Sequence, residues 1–166
     1  MDHKKVAFPL LLLSVSVLLS CAPLYWDLKK GLRKPGETVL KHPDEVWKAY
    51  DCAKKRLPFV RMVKYEILPP EVYPGEEINQ HFEYVLCPAR PAEVLAGTLY
   101  RRIYYKGKVV FEDVTRNFEL KPGKWAVDAF IRVPPDASPG VYYLEVVFRG
   151  PVTLKEGQNF LVLRAR

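Results

Sequence analysis

From Phe59 onward, apolar residues recur at every second position, and this period constrains the fold more than any other feature of the chain. Successive side chains of a strand point to opposite faces, so Trp125, Val127, Ala129, Ile131 and Val133 describe a ribbon with one face in a core. Tyr142, Leu144, Val146 and Phe148 repeat the pattern, as do Ile78, Phe82, Tyr84 and Leu86 beside Asn79, His81 and Glu83. Val63, Tyr65 and Ile67 alternate with Lys64 and Glu66. Another run, Leu95, Leu99, Ile103 and Tyr105, ends at the turn Lys106-Gly107-Lys108, from which residues 109–114 return. Phe118 and Leu120 lead to Pro122-Gly123, and a last strand lies near residues 160–163. The 15 prolines and 13% aromatic residues suit strands separated by rigid turns, because Pro cannot donate to a central ladder. The expected class is mainly β, an antiparallel sandwich of seven to nine strands.

Two turns echo each other. Pro69-Pro70-Glu71-Val72-Tyr73-Pro74-Gly75 and Pro134-Pro135-Asp136-Ala137-Ser138-Pro139-Gly140 share the pattern PPxxxPG, and each precedes a strand. Paired prolines end a ladder by removing donors, and the glycine allows the backbone to re-enter the next strand. Two copies are too few for a repeat protein, so they read as equivalent corners of one sandwich. The second runs into Gly140-Val141-Tyr142, which resembles the Gly-x-Tyr strand entry of immunoglobulin-like and fibronectin-type-III-like domains. That resemblance spans about residues 59–163 and implies an immunoglobulin-like β-sandwich whose tyrosine hydroxyl pins the corner to the backbone. It implies no activity.

One N-terminal helix is signalled over residues 43–57. Pro43 stands at a first helical position, Asp44 and Glu45 follow in the first turn, Lys54, Lys55 and Arg56 crowd the last, and Pro58 stops it. Val46, Ala49, Tyr50, Ala53 and Leu57 give it one apolar face, with Cys52 on the flank, so the helix is expected to pack on the sandwich (residues 58–166).

The N-terminus has a different character. Lys4 and Lys5 precede an apolar run over residues 6–19, which ends Leu18, Leu19, Ser20, Cys21. A bilayer-spanning helix needs roughly 20 apolar residues, so this run is too short, and Pro9 interrupts it. The segment resembles a bacterial lipoprotein signal peptide, residues 1–20, with a plain secretory signal as the rival reading. The resemblance implies that Cys21 becomes the first residue and carries the lipid, and that Ala22 after it sorts the protein to the outer membrane where there are two membranes. Removing residues 1–20 takes away Lys4, Lys5 and Asp2 and leaves 24 basic against 18 acidic residues, a net +6. Lipidation of Cys21 leaves Cys52 and Cys87, which either join in a disulfide, as an oxidising compartment favours, or remain two buried thiols. Residues 21–42 read as a basic tether: Leu24, Tyr25 and Trp26 suit a membrane–water boundary, and Lys29, Lys30, Arg33 and Lys34 suit an anionic leaflet. The alternative is that Trp26 folds back onto the domain.

Catalytic chemistry is poorly supplied. Ser138, the one serine after residue 20, sits in a proline turn without nucleophile-elbow glycines. His42 and His81 are the only histidines there, too few for a zinc set once the cysteines pair, and no calcium-loop spacing occurs. His81 and Glu83 share a strand face as a base and its orienter would, or as two solvated positions. No enzyme, cofactor or metal is expected. Binding is better served by Tyr100, Arg101, Arg102, Tyr104, Lys106 and Lys108, which set aromatics and cations along one strand and its turn. Half of that strand must face the core, so packing on one face with solvated charge on the other competes with a site. The expected function is a lipid-anchored, non-catalytic interaction or scaffolding module of the cell envelope. Its partner would be an envelope protein or anionic polymer, and nucleic acid is not expected. The alternatives are a surface-exposed carbohydrate-binding or adhesive module and, more distantly, an envelope hydrolase or accessory enzyme subunit. A row of solvent-facing aromatics would favour sugar, and an unpaired edge strand a protein.

Overall fold

The computed structural model of the protein describes residues 22–164, so the segment that resembles a signal peptide and Cys21 lie outside them. Two sheets face each other. One has the order β1 (Gly36–Lys41), β7 (Gly123–Arg132), β4 (Glu77–Cys87), β2 (Phe59–Leu68). The other runs β3 (Glu71–Val72), β9 (Thr153–Val162), β8 (Gly140–Arg149), β5 (Leu95–Tyr105), β6 (Lys108–Leu120). All pairs are antiparallel except β3 on β9. This is the expected immunoglobulin-like sandwich. Its first long strand divides between the sheets: β2 pairs with β4, and beyond Pro69-Pro70 the chain crosses to pair as β3 with β9.

The two proline corners meet at one end of the sandwich. The Gly75 amide donates to the Val133 carbonyl at 3.1 Å, and the Val133 amide to the Glu76 carbonyl at 2.8 Å. Gly75 and Gly140 both hold positive φ (85° and 148°), as the motif requires. The Tyr142 hydroxyl donates to the Ser138 carbonyl at 2.8 Å, the corner bond that the Gly-x-Tyr entry implied.

The core has two apolar clusters with a polar belt between them. Phe82, Tyr84, Leu86, Leu99 and Phe148 anchor one cluster, and Ile67, Ile78, Ile103, Leu144 and Phe160 the other. Tyr65 packs against both. Gln80 on β4 and Arg101 on β5 occupy inward positions at the junction, and Arg101 Nε donates to Gln80 Oε1 at 3.0 Å. Tyr65 donates its hydroxyl to the Leu144 carbonyl at 3.0 Å, and burial drives that hydroxyl far above its ordinary pKa.

Three local expectations change. Residues 22–41 are not simply a tether: they hold helix α1 (Ala22–Gly31), docked on the four-stranded sheet by ion pairs, and β1, which pairs with the edge of β7. The helix expected over residues 43–57 is shorter. Helix α2 (Pro43–Ala49) starts as its sequence signals, with Glu45 Oε2 accepting from the His42 amide at 2.9 Å. It ends where Asp51 turns left-handed (φ 49°), which swings Cys52 into a separate 3-10 turn, Cys52–Lys54, on top of Cys87. The two cysteines are disulfide-bonded, and with Val46 and Val85 they form a small cluster outside the main core. Finally, a bulge between Met62 and Lys64 changes the parity of β2. Val63 therefore joins this outer cluster, while Tyr65 and Ile67 face the core.

Candidate functional site

The six residues proposed along β5 do not share one face. Arg101 lies between Leu99 and Ile103 on the inward face and is 7% exposed. Its Nη1 donates to Asp113 Oδ2 at 3.0 Å and to Thr115 Oγ1 at 3.4 Å, both on β6. It is a structural residue and leaves the candidate surface. Lys106 and Lys108 sit at the hairpin end. Lys106 has φ 48° and Gly107 φ 76°, the two positive values of a type I′ turn. Their ammonium groups project from the tip of the sandwich, Lys106 over the Tyr105 ring at 5.1 Å.

Tyr100, Arg102 and Tyr104 do share the outer face of the five-stranded sheet. The guanidinium groups of Arg102 and Arg149 lie 4.8 Å and 5.5 Å from the Tyr100 ring centroid. Arg102 Nε donates to Glu112 on β6. Tyr104 lies 6.2 Å from Tyr143 on β8 and donates to Glu145 Oε2 at 3.3 Å, while Lys155 on β9 holds Glu145 Oε1 at 2.6 Å. Gly157 lets Tyr143 lie across β9, because a Cβ there would stand 2.3 Å from the Tyr143 hydroxyl. The face is therefore a lattice of tyrosines cross-linked by ion pairs, and Glu112 and Glu145 offset much of the cationic charge that the sequence of β5 suggests.

Beside this face runs β6, thirteen residues long, with only β5 paired to it among the described strands. Val109, Val110 and Val114 are 50%, 48% and 39% exposed. Bulges at Val110 and Arg116-Asn117 bracket a regular stretch, residues 111–115, along the free edge.

No family model and no curated protein matches the chain. Solved structures with partial likeness include a family 123 glycoside hydrolase from Clostridium perfringens (TM-score 0.43, 12% identity, 57% of this chain and 22% of that one). The alkylpurine DNA glycosylase AlkC of Pseudomonas fluorescens is similar at TM-score 0.43 and 16% identity, over 63% of this chain and 30% of that one. The sporulation control protein Spo0M from Bacillus subtilis is similar at TM-score 0.38 and 9% identity, over 64% of this chain and 49% of that one. The chain thus spans less than half of each of these chains, and at such scores the likenesses carry no argument about activity.

A second constellation lies on the outer face of the four-stranded sheet, beneath α1. His81 Nδ1 is 3.0 Å from Asp128 Oδ1 and its Nε2 is 3.3 Å from Glu83 Oε1. Asn79 Nδ2 donates to Asp128 Oδ1 at 3.0 Å, and Arg33 Nη1 donates to Asn79 Oδ1 at 2.6 Å. Arg33 also pairs with Glu66, which accepts from Lys29 Nζ at 2.5 Å. Lys124 holds Glu83 at 2.6 Å. Burial pushes the Glu66 carboxyl up, but the hydrogen bonds from Lys29 and Arg33 outweigh it and hold the pKa at about 2. Glu83 and Asp128 follow the same balance, burial opposed by Lys124 and His81 at one and by His81 and Asn79 at the other, and both fall below the ordinary range. His81 and Glu83 are thus brought together as their shared parity implies. Both ring nitrogens thus face carboxylates of the same sheet. The arrangement binds α1 to the sheet. Sequence reasoning missed Glu66, Asp128, Lys124 and Arg33 as its members, since their common location depends on strand order; only the period of Asn79, His81 and Glu83 was visible.

Proposed function

We propose that this protein is a lipid-anchored component of the cell envelope that acts as a non-catalytic protein-interaction module, tethered through Cys21. The observation that carries the interaction reading is the free edge of β6, with three exposed valines and the Tyr100–Arg102–Tyr104 face beside it. An unpaired edge offers backbone hydrogen bonds to an added strand, and neighbouring Tyr and Arg supply anchoring contacts. The anchor reading rests on Leu18, Ser20 and Cys21 at the end of the short apolar run over residues 6–19. The tyrosine row Tyr100, Tyr104 and Tyr143 supports a second reading, carbohydrate binding. The two guanidinium groups at the Tyr100 ring and the ion pairs around Tyr104 weigh against it, since a stacking platform needs a free ring face.

Both parts are testable in cells that express the full chain. Cys21→Ala should move the protein out of the membrane fraction or leave it unprocessed; an unchanged, lipid-labelled membrane protein overturns the anchor. A photo-cross-linking residue at Val114 should give a discrete protein adduct that one at Val141 does not. Loss of glycan retention in Tyr104→Ala without any adduct at Val114 would shift the function to the sugar-binding alternative.

A further inference from the structure

Helix α1 is amphipathic in the opposite sense to an ordinary surface helix. Along α1 and the turn that follows it, Lys29, Lys30 and Arg33 keep helical spacing with Trp26, and the three cations reach carboxylates of the four-stranded sheet. Lys29 and Arg33 clamp Glu66, and Lys30 Nζ donates to the Glu77 carbonyl at 2.5 Å. Tyr25, Leu28 and Leu32 follow the same spacing on the other side and stand 55%, 64% and 78% exposed, with the Tyr25 ring 5.0 Å from that of Trp26 and 5.9 Å from Lys29 Nζ. The amide of Leu32 donates to the Leu28 carbonyl at 3.2 Å, which carries the helical spacing through that residue. A surface helix normally buries its apolar stripe and exposes its charges. Here the carboxylates of the sheet take the charges, and three large apolar side chains face outward in a line.

What covers that line follows from the sequence around α1. Ala22, its first described residue, follows Cys21 and the apolar run over residues 6–19. On the anchor reading proposed above, lipid is attached one residue before the described helix. At the helical rise, residues 22–32 span only about 17 Å, so the whole apolar stripe lies within that reach of the proposed lipid. Tyr and Leu on one face of a short helix suit the boundary between headgroups and acyl chains, where such helices settle about 5–10 Å deep.

We propose that α1 lies flat in the membrane–water interface, with Tyr25, Leu28 and Leu32 in the lipid and Lys29, Lys30 and Arg33 locked onto the sandwich. The helix then acts as a rigid foot. It turns the four-stranded sheet toward the bilayer and presents the opposite face, with Tyr100, Arg102 and Tyr104, away from it. This rests on the anchor reading, and the test separates the two.

The full lipid-anchored chain is reconstituted into phosphatidylethanolamine–phosphatidylglycerol vesicles with brominated acyl chains, which quench tryptophan at shallow depth. Three variants each add one tryptophan: Leu28→Trp and Leu32→Trp on the proposed lipid face, and Val141→Trp on the outer face of the five-stranded sheet, where Val141 is 60% exposed. The parent supplies the background of its three native tryptophans. Fluorescence added at positions 28 and 32 should fall by at least about twofold relative to unbrominated vesicles, and that added at 141 should be unchanged. Vesicle flotation with unquenched positions 28 and 32 overturns the interfacial helix and leaves the anchor standing. Equal quenching at all three positions overturns the fixed orientation. A chain that does not float overturns the anchor and, with it, this inference. An intact Cys52–Cys87 disulfide by mass and an unchanged melting curve establish that each variant is folded.

Discussion

At Arg101 the charge of a single residue is absorbed by the fold. Its guanidinium is satisfied by Gln80, Asp113 and Thr115, drawn from β4 and β6, at the point where the core changes from one apolar cluster to the other. Gln80 is fully buried, and its Nε2 has no hydrogen-bond partner among the described residues, so Arg101 supplies the one strong bond to that amide. Replacing Arg101 by Met would orphan Gln80 entirely, whereas Asp113, half exposed, can be hydrated. Arg101→Met should therefore cost about 2–3 kcal/mol in urea unfolding, below the usual cost of breaking a fully buried pair. Adding Gln80→Leu should recover most of the loss, because no unpaired buried polar group then remains. A single variant as stable as the parent would show that the belt contributes nothing to stability.

Among the elements, α1 and α2 cover the same sheet by different means. Helix α2 is held by Val46 packing and by the Cys52–Cys87 bond, whose closure of 35 residues is worth roughly 3–4 kcal/mol on a loop-entropy model. Helix α1 is held by charge, through Glu66 above all. The folded pKa of Glu66, about 2, lies below its ordinary 4.5, so its stabilisation is complete above about pH 4.5 and fades as the pH falls toward 2. Amide exchange over residues 25–33, corrected for intrinsic rate, should lose protection as the pH falls from about 4.5 toward 2, while the β4 and β8 amides keep theirs. Glu66→Gln should show low α1 protection already at the higher pH. Full α1 protection in that variant would mean that contacts other than the Glu66 charge hold the helix.

For the whole molecule, the distribution of charge matters more than its sum. The chain carries +7 before any processing, yet the outer face of β5 is nearly balanced, since Glu112 takes Arg102 and Glu145 takes Lys155. At the hairpin tip, exposed Lys106 and Lys108 pair with no carboxylate among the described residues. Retention on an anionic matrix at low salt should fall more for Lys106→Gln with Lys108→Gln than for Arg102→Gln. The difference should vanish once exposed charges are screened, at a Debye length of about 8 Å near 0.15 M salt. Greater loss from Arg102→Gln would return the anion-facing surface to the middle of the strand.

The period of the apolar residues determined the sandwich, because burial of one sheet face permits only one alternation, and the PPxxxPG turns determined its corners down to the Tyr142 hydroxyl bond. The inward placement of Arg101 was also legible, since it shares odd parity with Leu99 and Ile103; its partners were not, because Gln80 and Asp113 come from different strands. Only the tertiary structure decided that Val63 points outward, through a bulge in β2 that no local period signals. It alone assigned residues 22–41 to a docked helix and an edge strand. Those assignments depend on Glu66, Asp128 and the side of β7 that β1 pairs with, contacts 33 or more residues away in sequence. Local chemistry thus determined where the chain runs straight and where it turns, while long-range pairing decided which charges are buried, which are matched and which remain at the surface.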